Sequence, residues 1–161
     1  MRNILLPVDG TLRSDAAVQC VIRQARLGQI GTIHLVSVQP RLGAYVGRFL
    51  KTALIRDYQR EQGAKALSRA KRQLDEASLA YQQHIYAGDM VETIARAAKE
   101  LDVDEIILSA GNLNIVGGFD FHSVVGGVLR RVKVPVSVVN APATDLAIEA
   151  APASWQLRPT P

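Results

Sequence analysis

The stretch GDMVETIARAAKELDVDEIIL, residues 88–108, decides the fold. Asp89 and Glu92 have the spacing of an N-cap and an N3 residue, which predicts the start of a helix. Apolar residues then recur every three or four positions, as on the buried face of a helix: Val91, Ile94, Ala95, Ala98 and Leu101. The run EIIL at 105–108 follows and is typical of a strand buried on both faces. A helix that leads directly into a buried strand indicates a layered α/β unit.

The same alternation extends in both directions along the chain. Apolar runs predict strands at 3–8, 32–38, 81–86, 105–108 and 135–139, and helical spacing predicts helices at 14–27, 54–80, 89–101 and 124–132. Ser14 is expected to cap the first helix and Gly28 to end it. Gly126 and Gly127 lie inside the last helix, where they are expected to allow close packing on the sheet. Five strands that alternate with helices predict a doubly wound parallel sheet with helices on both faces.

Composition limits the classes of protein that fit. The chain has 161 residues and one cysteine, which suits one domain without a disulfide framework in a reducing cytoplasm. No apolar run is long enough to span a bilayer, so no membrane partner is expected. We predict a domain over residues 1–140 and a Pro/Ala-rich tail over 141–161, which is either a flexible end or a segment docked on the body or on a neighbouring subunit.

Positive charge is concentrated in one segment. Residues 41–75 contain nine Lys or Arg and three Asp or Glu, which gives a net charge of +6 in a chain of net charge +4. Such a segment is either the solvated face of a helix or a surface for an acidic or phosphate-bearing partner. Its aromatic residues are few and no nucleic-acid motif is present, so nucleic acid is not expected as a partner.

Several catalytic motifs are absent from the sequence. It contains neither a P-loop, nor G-x-G-x-x-G after the first strand, nor G-x-S-x-G. The three histidines, His34, His84 and His122, are far apart along the chain and come from two predicted strands and a loop. The sequence therefore predicts no catalytic residue and no metal site.

Geometry points to a different kind of site. In a parallel sheet ordered 3-2-1-4-5, ligands bind at the carboxyl ends of the first and fourth strands, where the strand order reverses. The loops at Asp9–Thr11 and Ser109–Ser123 meet there. Asp9 would either accept hydrogen bonds from a ribose or stabilise a turn. Ser123, at a helix start, would either hold a phosphate or serve as an ordinary N-cap.

Three segments together resemble the universal stress protein family: ILLPVDGT (4–11), the stretch at 88–108, and VLRRVKVPVSVV (128–139). The resemblance implies a five-stranded sheet of order 3-2-1-4-5, similar to that of adenine nucleotide alpha hydrolases, and a homodimer. Some members bind ATP through a G-x-x-G-x9-G-[ST] loop after the fourth strand. On this chain, the three glycine positions of that loop fall on Ser109, Asn112 and His122, while Ser123 keeps the hydroxyl.

This departure argues against efficient ATP binding. Side chains at positions where the backbone must approach phosphates would cost about 2–4 kcal/mol, or roughly 30- to 1,000-fold in affinity. Gly111 or Gly117 would restore only part of the loop if the register slips. Asp9 and Val38 keep the adenine side of the site, so ATP or AMP remains a candidate ligand. The candidate nucleotide-binding residues are Asp9, Val38, Ser109, Gly111, Asn112, His122, Ser123 and Val124.

The sequence leaves three functions open. The first is a dimeric stress-response protein that binds partners and does not bind ATP efficiently. Its dimer would form through the fifth strand, an apolar sheet edge with Val134, Val136 and Val138 at the interface. The second is a sensor of adenine nucleotides. The third is a weak nucleotide hydrolase, for which no general base is identifiable, so whether the chain is an enzyme stays open.

Overall fold

Five parallel strands form one sheet with the order β3-β2-β1-β4-β5, as predicted. The structure, a computed structural model, describes residues 1–42, 48–110 and 124–140. The strands are β1 (Arg2–Pro7), β2 (Ile30–Gln39), β3 (Gln82–Ala87), β4 (Glu105–Ser109) and β5 (Val136–Val139). The helices are α1 (Leu12–Arg26), α2 (Thr52–Glu76), α3 (Met90–Glu100) and α4 (Val124–Leu129).

Of the two side-chain N-caps predicted for helices, one is confirmed and one is wrong. The backbone N–H of Glu92 donates to Asp89 Oδ1 at 2.9 Å, so the predicted N-cap of α3 is confirmed. The prediction that Ser14 caps α1 is wrong, because the helix begins at Leu12 with Thr11 as its N-cap. Ser14 lies in the first turn of α1, and its hydroxyl donates a hydrogen bond to Asp9 in the preceding loop.

The sheet separates two apolar cores. Ile4, Leu6, Ile33 and Leu35 face α1 and α2 in the first core. Leu5, Val36 and Ile106 face α3 and α4 in the second core. Successive residues of β1 point to opposite faces, which explains why its sequence is apolar throughout instead of alternating.

Two glycines show how closely the layers approach. A Cβ on Gly63 of α2 would lie 2.3 Å from Cγ2 of Ile85 on β3, so only glycine fits there without displacement. A Cβ on Gly127 of α4 would lie 2.7 Å from Cγ2 of Val91 on α3. The closest packing at Gly127 is therefore helix against helix, and the packing of the glycine pair on the sheet stays a prediction.

Three parts of the chain lie outside the described residues: 43–47, 111–123 and the segment 141–161 for which a Pro/Ala-rich tail is predicted. Among the helices of the described part, none combines the length and the apolarity needed to cross a membrane.

Candidate functional site

A cleft opens where the strand order reverses, at the carboxyl ends of β1 and β4. The two strands are neighbours, with Leu5 opposite Ile106. Four of the candidate residues line this cleft, which we call the switch-point cleft: Asp9, Val38, Ser109 and Val124. The other candidates, Gly111, Asn112, His122 and Ser123, lie outside the described residues.

Asp9 organises the turn that leads from β1 into α1. Its Oδ1 accepts hydrogen bonds from the Thr11 backbone N–H at 2.9 Å, the Thr11 hydroxyl at 2.7 Å and the Ser14 hydroxyl at 2.7 Å. Partial burial alone would raise the pKa of Asp9, but the bonds from Thr11 and Ser14 outweigh it, so the pKa lies below its ordinary value. Asp9 is therefore a carboxylate at neutral pH and a weak base, and the structure gives it the turn-forming role that was one of its two predicted roles.

Ser109 closes the cleft at the end of β4. Its hydroxyl donates to the backbone carbonyl of Arg13, in the first turn of α1. This bond fastens β4 to α1 across the reversal point.

The apolar walls of the cleft were not predicted from the sequence. Met90 and Ile94 of α3, with Val125 of α4, line the cleft beside Val38. They come from the helices that cover the second core. Helical spacing predicted Ile94 and Val125 only as core residues and did not include Met90. The described walls enclose about 40 Å³, far less than the roughly 300–1,000 Å³ of a typical ligand pocket. A second concave space of about 450 Å³, lined by Pro40, Arg41, Gly88 and Asp89, adjoins the cleft at Val38 and Met90.

Two of the three histidines meet inside the fold, although they are 50 residues apart along the chain. His34 Nδ1 on β2 is 3.1 Å from His84 Nε2 on β3, and the Tyr86 ring stacks on His84 with centroids 6.1 Å apart. His34 is 6% exposed. Burial lowers the pKa of both histidines, and for His34 the neighbouring His84 lowers it further. No group of three or more His, Cys, Asp or Glu able to hold a metal ion occurs in the part of the chain that the structure describes.

Acid is expected to destabilise the protein through this histidine pair. The unfolded chain takes up protons near the ordinary histidine pKa of about 6.5, while the folded pair resists them. Stability is thus fully present above that pH and is lost as the pH falls toward the lowered folded values. Thermal unfolding followed by circular dichroism between about pH 7.5 and about pH 5.5 measures this slope.

The matched variant for this prediction is His34→Asn/His84→Gln, since the two amides place nitrogen or oxygen near the Nδ1 and Nε2 positions. It is expected to flatten the dependence of the melting temperature on pH. An equal slope in wild-type and double-variant protein would show that the pair does not cause the acid sensitivity.

Two of the three residues predicted for a dimer interface, Val136 and Val138, lie on the edge strand β5, and Val134 lies just before it. Val134 and Val136 pack against the second core, whereas Val138 is 41% exposed. Leu129, at the end of α4, is 51% exposed. Of the three predicted residues, Val138 therefore presents the most apolar surface for contact.

Some cations of the basic segment 41–75 pair with carboxylates, while others are exposed. Arg69 forms hydrogen bonds to both carboxylate oxygens of Asp15 on α1, at 2.5–2.9 Å, and Lys65 pairs with Glu61 at 3.1 Å. Arg69 therefore helps to fix α2 against α1. Arg48, Arg56 and Arg60 are exposed.

A parallel sheet of order 3-2-1-4-5, with helices on both faces and a cleft at the reversal point, is the fold of adenine nucleotide alpha hydrolase-like proteins. The model of the universal stress protein family matches residues 1–140. The chain belongs to the universal stress protein family. No protein of curated function matches the sequence.

Solved structures share the fold at low sequence identity. A universal stress protein family member from Burkholderia pseudomallei is 22% identical with a TM-score of 0.65, over 87% of this chain and 96% of that chain. The Archaeoglobus fulgidus protein in complex with dAMP is 20% identical with a TM-score of 0.58, over 86% and 97%. An Arabidopsis thaliana family member with AMP bound is 15% identical with a TM-score of 0.63, over 90% and 95%.

Proposed function

We propose that this universal stress protein is a cytoplasmic binding and regulatory protein of the stress response, and not an enzyme. One observation carries this proposal. Among the described residues that line the switch-point cleft, Asp9 is the single ionisable one, and its Oδ1 is committed to the turn. General acid–base catalysis needs a group whose pKa lies near the working pH, and the lowered pKa of Asp9 moves it away from that range. These features favour binding over nucleotide hydrolysis.

The ligand class proposed for the cleft is a nucleoside monophosphate such as AMP, with ATP bound more weakly. Related folds from Archaeoglobus fulgidus and Arabidopsis thaliana hold dAMP and AMP. Asp9 would receive a ribose hydroxyl on Oδ2, and Val38 would contact the edge of the base. Ser109, which stands at a glycine position of the ATP-binding loop, already uses its hydroxyl within the protein. This arrangement supports a site that binds the nucleoside and has fewer hydrogen-bond donors free for a triphosphate.

Isothermal titration calorimetry on nucleotide-stripped protein tests the ligand class. We expect AMP to bind and ATP–Mg²⁺ to bind at least roughly 30-fold more weakly. Asp9→Asn keeps an oxygen for the turn but replaces the second carboxylate oxygen with a donor, and it is expected to weaken AMP binding by roughly tenfold or more. Asp57→Ala, an exposed carboxylate on α2, is the control and should bind AMP as the wild type does.

Tighter binding of ATP–Mg²⁺ than of AMP would contradict the exclusion of the triphosphate. Absence of heat with either nucleotide would remove the sensor function and leave the protein–protein role. Turnover of ATP that disappears in Asp9→Asn would instead support the hydrolase.

The protein would act by binding other chains at two surfaces, one at β5 and one in segment 41–75. We propose that two copies pair through β5, with Val138 at the interface and Val134 and Val136 supporting it. We also propose that an acidic or phosphate-bearing partner meets the exposed cations of segment 41–75, among them Arg56 and Arg60. Charge attraction would steer such a partner and would weaken as salt rises.

A further inference from the structure

A separate concave site lies at the opposite end of the sheet from the switch-point cleft. It is formed by the C-terminal part of α3, the turn before β4 and the segment that links α4 to β5. We call it the basic groove. Its volume is about 450 Å³, which falls within the range of small-molecule pockets, roughly 300–1,000 Å³. The basic groove is thus much larger than the 40 Å³ cleft.

The floor of the basic groove is apolar and built from small side chains. Ala95 and Ala98 line it from α3, and Val103, Val132 and Val134 line the remainder. Ala98 and Val103 are buried, at 5% and 4% exposure. Methyl groups in place of longer side chains leave room for a flat apolar body to rest against the second core.

The rim of the basic groove is positively charged. Lys99, Arg131 and Lys133 line it and are exposed, while Asp102 is the one carboxylate among its described lining residues. Arg131 Nη1 donates to the carbonyl of Gly127 at 3.4 Å, which holds the guanidinium at the end of α4. Within the part of the chain that the structure describes, neither Lys99 nor Lys133 forms an ion pair.

An apolar floor under a cationic rim defines the chemistry of the occupant. The floor favours a ring or a short hydrocarbon chain because contact removes apolar surface from water. The rim favours a phosphate, sulfonate or carboxylate, since three cations outnumber one carboxylate. A neutral or cationic molecule would make the apolar contact with the floor but would not be attracted by the charges of the rim.

We propose that the basic groove binds a small organic anion with a flat apolar body, at a site separate from the switch-point cleft. The two sites lie at opposite ends of the strands and share no described lining residue. Binding at the groove therefore does not depend on the nucleotide site proposed above.

The aromatic sulfonate 1-anilinonaphthalene-8-sulfonate is a suitable probe, because its fluorescence rises in apolar surroundings. Titrated into the full chain, it is expected to saturate at one site per chain. Lys99→Glu/Lys133→Glu should weaken binding by roughly tenfold or more. Arg23→Glu/Arg26→Glu makes the same change in net charge at exposed positions of α1 and should leave binding unchanged. Ala95→Trp fills the groove without changing its charge and should abolish the signal.

Three results would overturn the proposal. The first is equal weakening in the groove and control charge variants, which would mean that the probe responds only to net charge. The second is loss of binding in Asp9→Asn, which would place the probe in the switch-point cleft. The third is a change of oligomeric state in Lys99→Glu/Lys133→Glu without a change in probe affinity, which would make the groove an interface between copies. If Ala95→Trp fails to fold, as judged by circular dichroism, the two charge variants decide the question.

Discussion

In sedimentation velocity, Val138→Asp is expected to run as a monomer at concentrations where we expect the wild-type chain to run as a dimer. β5 is an outer strand of the sheet, and Val138 is 41% exposed on it. Pairing with a second copy would cover the free edge and bury this side chain twice across a two-fold axis. An aspartate there would bury two like charges, which should raise the dissociation constant by roughly 100-fold or more.

The choice of residue follows from the structure. Val136→Lys is a weaker test because Val136 packs against the second core, so the lysine would also disturb the fold. Tyr58→Asp provides the control: Tyr58 is 51% exposed on α2, and its replacement should leave the dimer intact. A Val138→Asp protein that remains dimeric would discard the β5 interface.

Gly63→Ala is expected to destabilise the protein, although alanine favours helices by about 1 kcal/mol over glycine. The added Cβ would lie 2.3 Å from Cγ2 of Ile85, too close for atoms that do not move. Overpacking of this kind costs about 1–3 kcal/mol, so the net effect in urea unfolding should be a loss of stability. Ile85→Ala removes the atom that collides. In that background, the same Gly63→Ala change should stabilise the protein by up to about 1 kcal/mol.

The effect of Gly63→Ala on stability is expected to change sign between the wild-type and Ile85→Ala backgrounds, and this change identifies the collision with Ile85 as the cause. Ala64→Gly, at an exposed position of the same helix, should cost about 1 kcal/mol in both backgrounds. Stabilisation by Gly63→Ala in the otherwise wild-type protein would show that α2 and β3 are not as close as described.

Much of the fold follows from local sequence signals. The cap at Asp89 depends on residues three positions apart, so it is visible in the sequence and is confirmed in the structure. The apolar runs at 3–8 and 105–108 located β1 and β4 to within a residue. Ser14 shows where local reasoning fails. A serine near a helix start resembles a cap, but this one bonds back to Asp9, because the chain turns sharply between β1 and α1.

Contacts between elements distant in sequence were less predictable. His34 and His84 are neighbours because of the register between β2 and β3, which depends on how the 25-residue α2 packs across the first core. The reversal of strand order correctly brought the loops at Asp9 and Ser109 to one cleft. The strand order alone does not predict that Met90 and Ile94 narrow the cleft, because their positions depend on where α3 packs along the length of the strands.

The separation of the two cores by the sheet has a consequence for how the molecule fluctuates. Val38, Ile94, Leu108 and Val125 line the switch-point cleft and also belong to the second core. The α1–α2 layer makes its apolar contacts on the far side of the sheet. Local unfolding of the α3–α4 layer can therefore expose the cleft while the α1–α2 layer stays folded. The two layers on either side of the sheet are thus separate units of local unfolding.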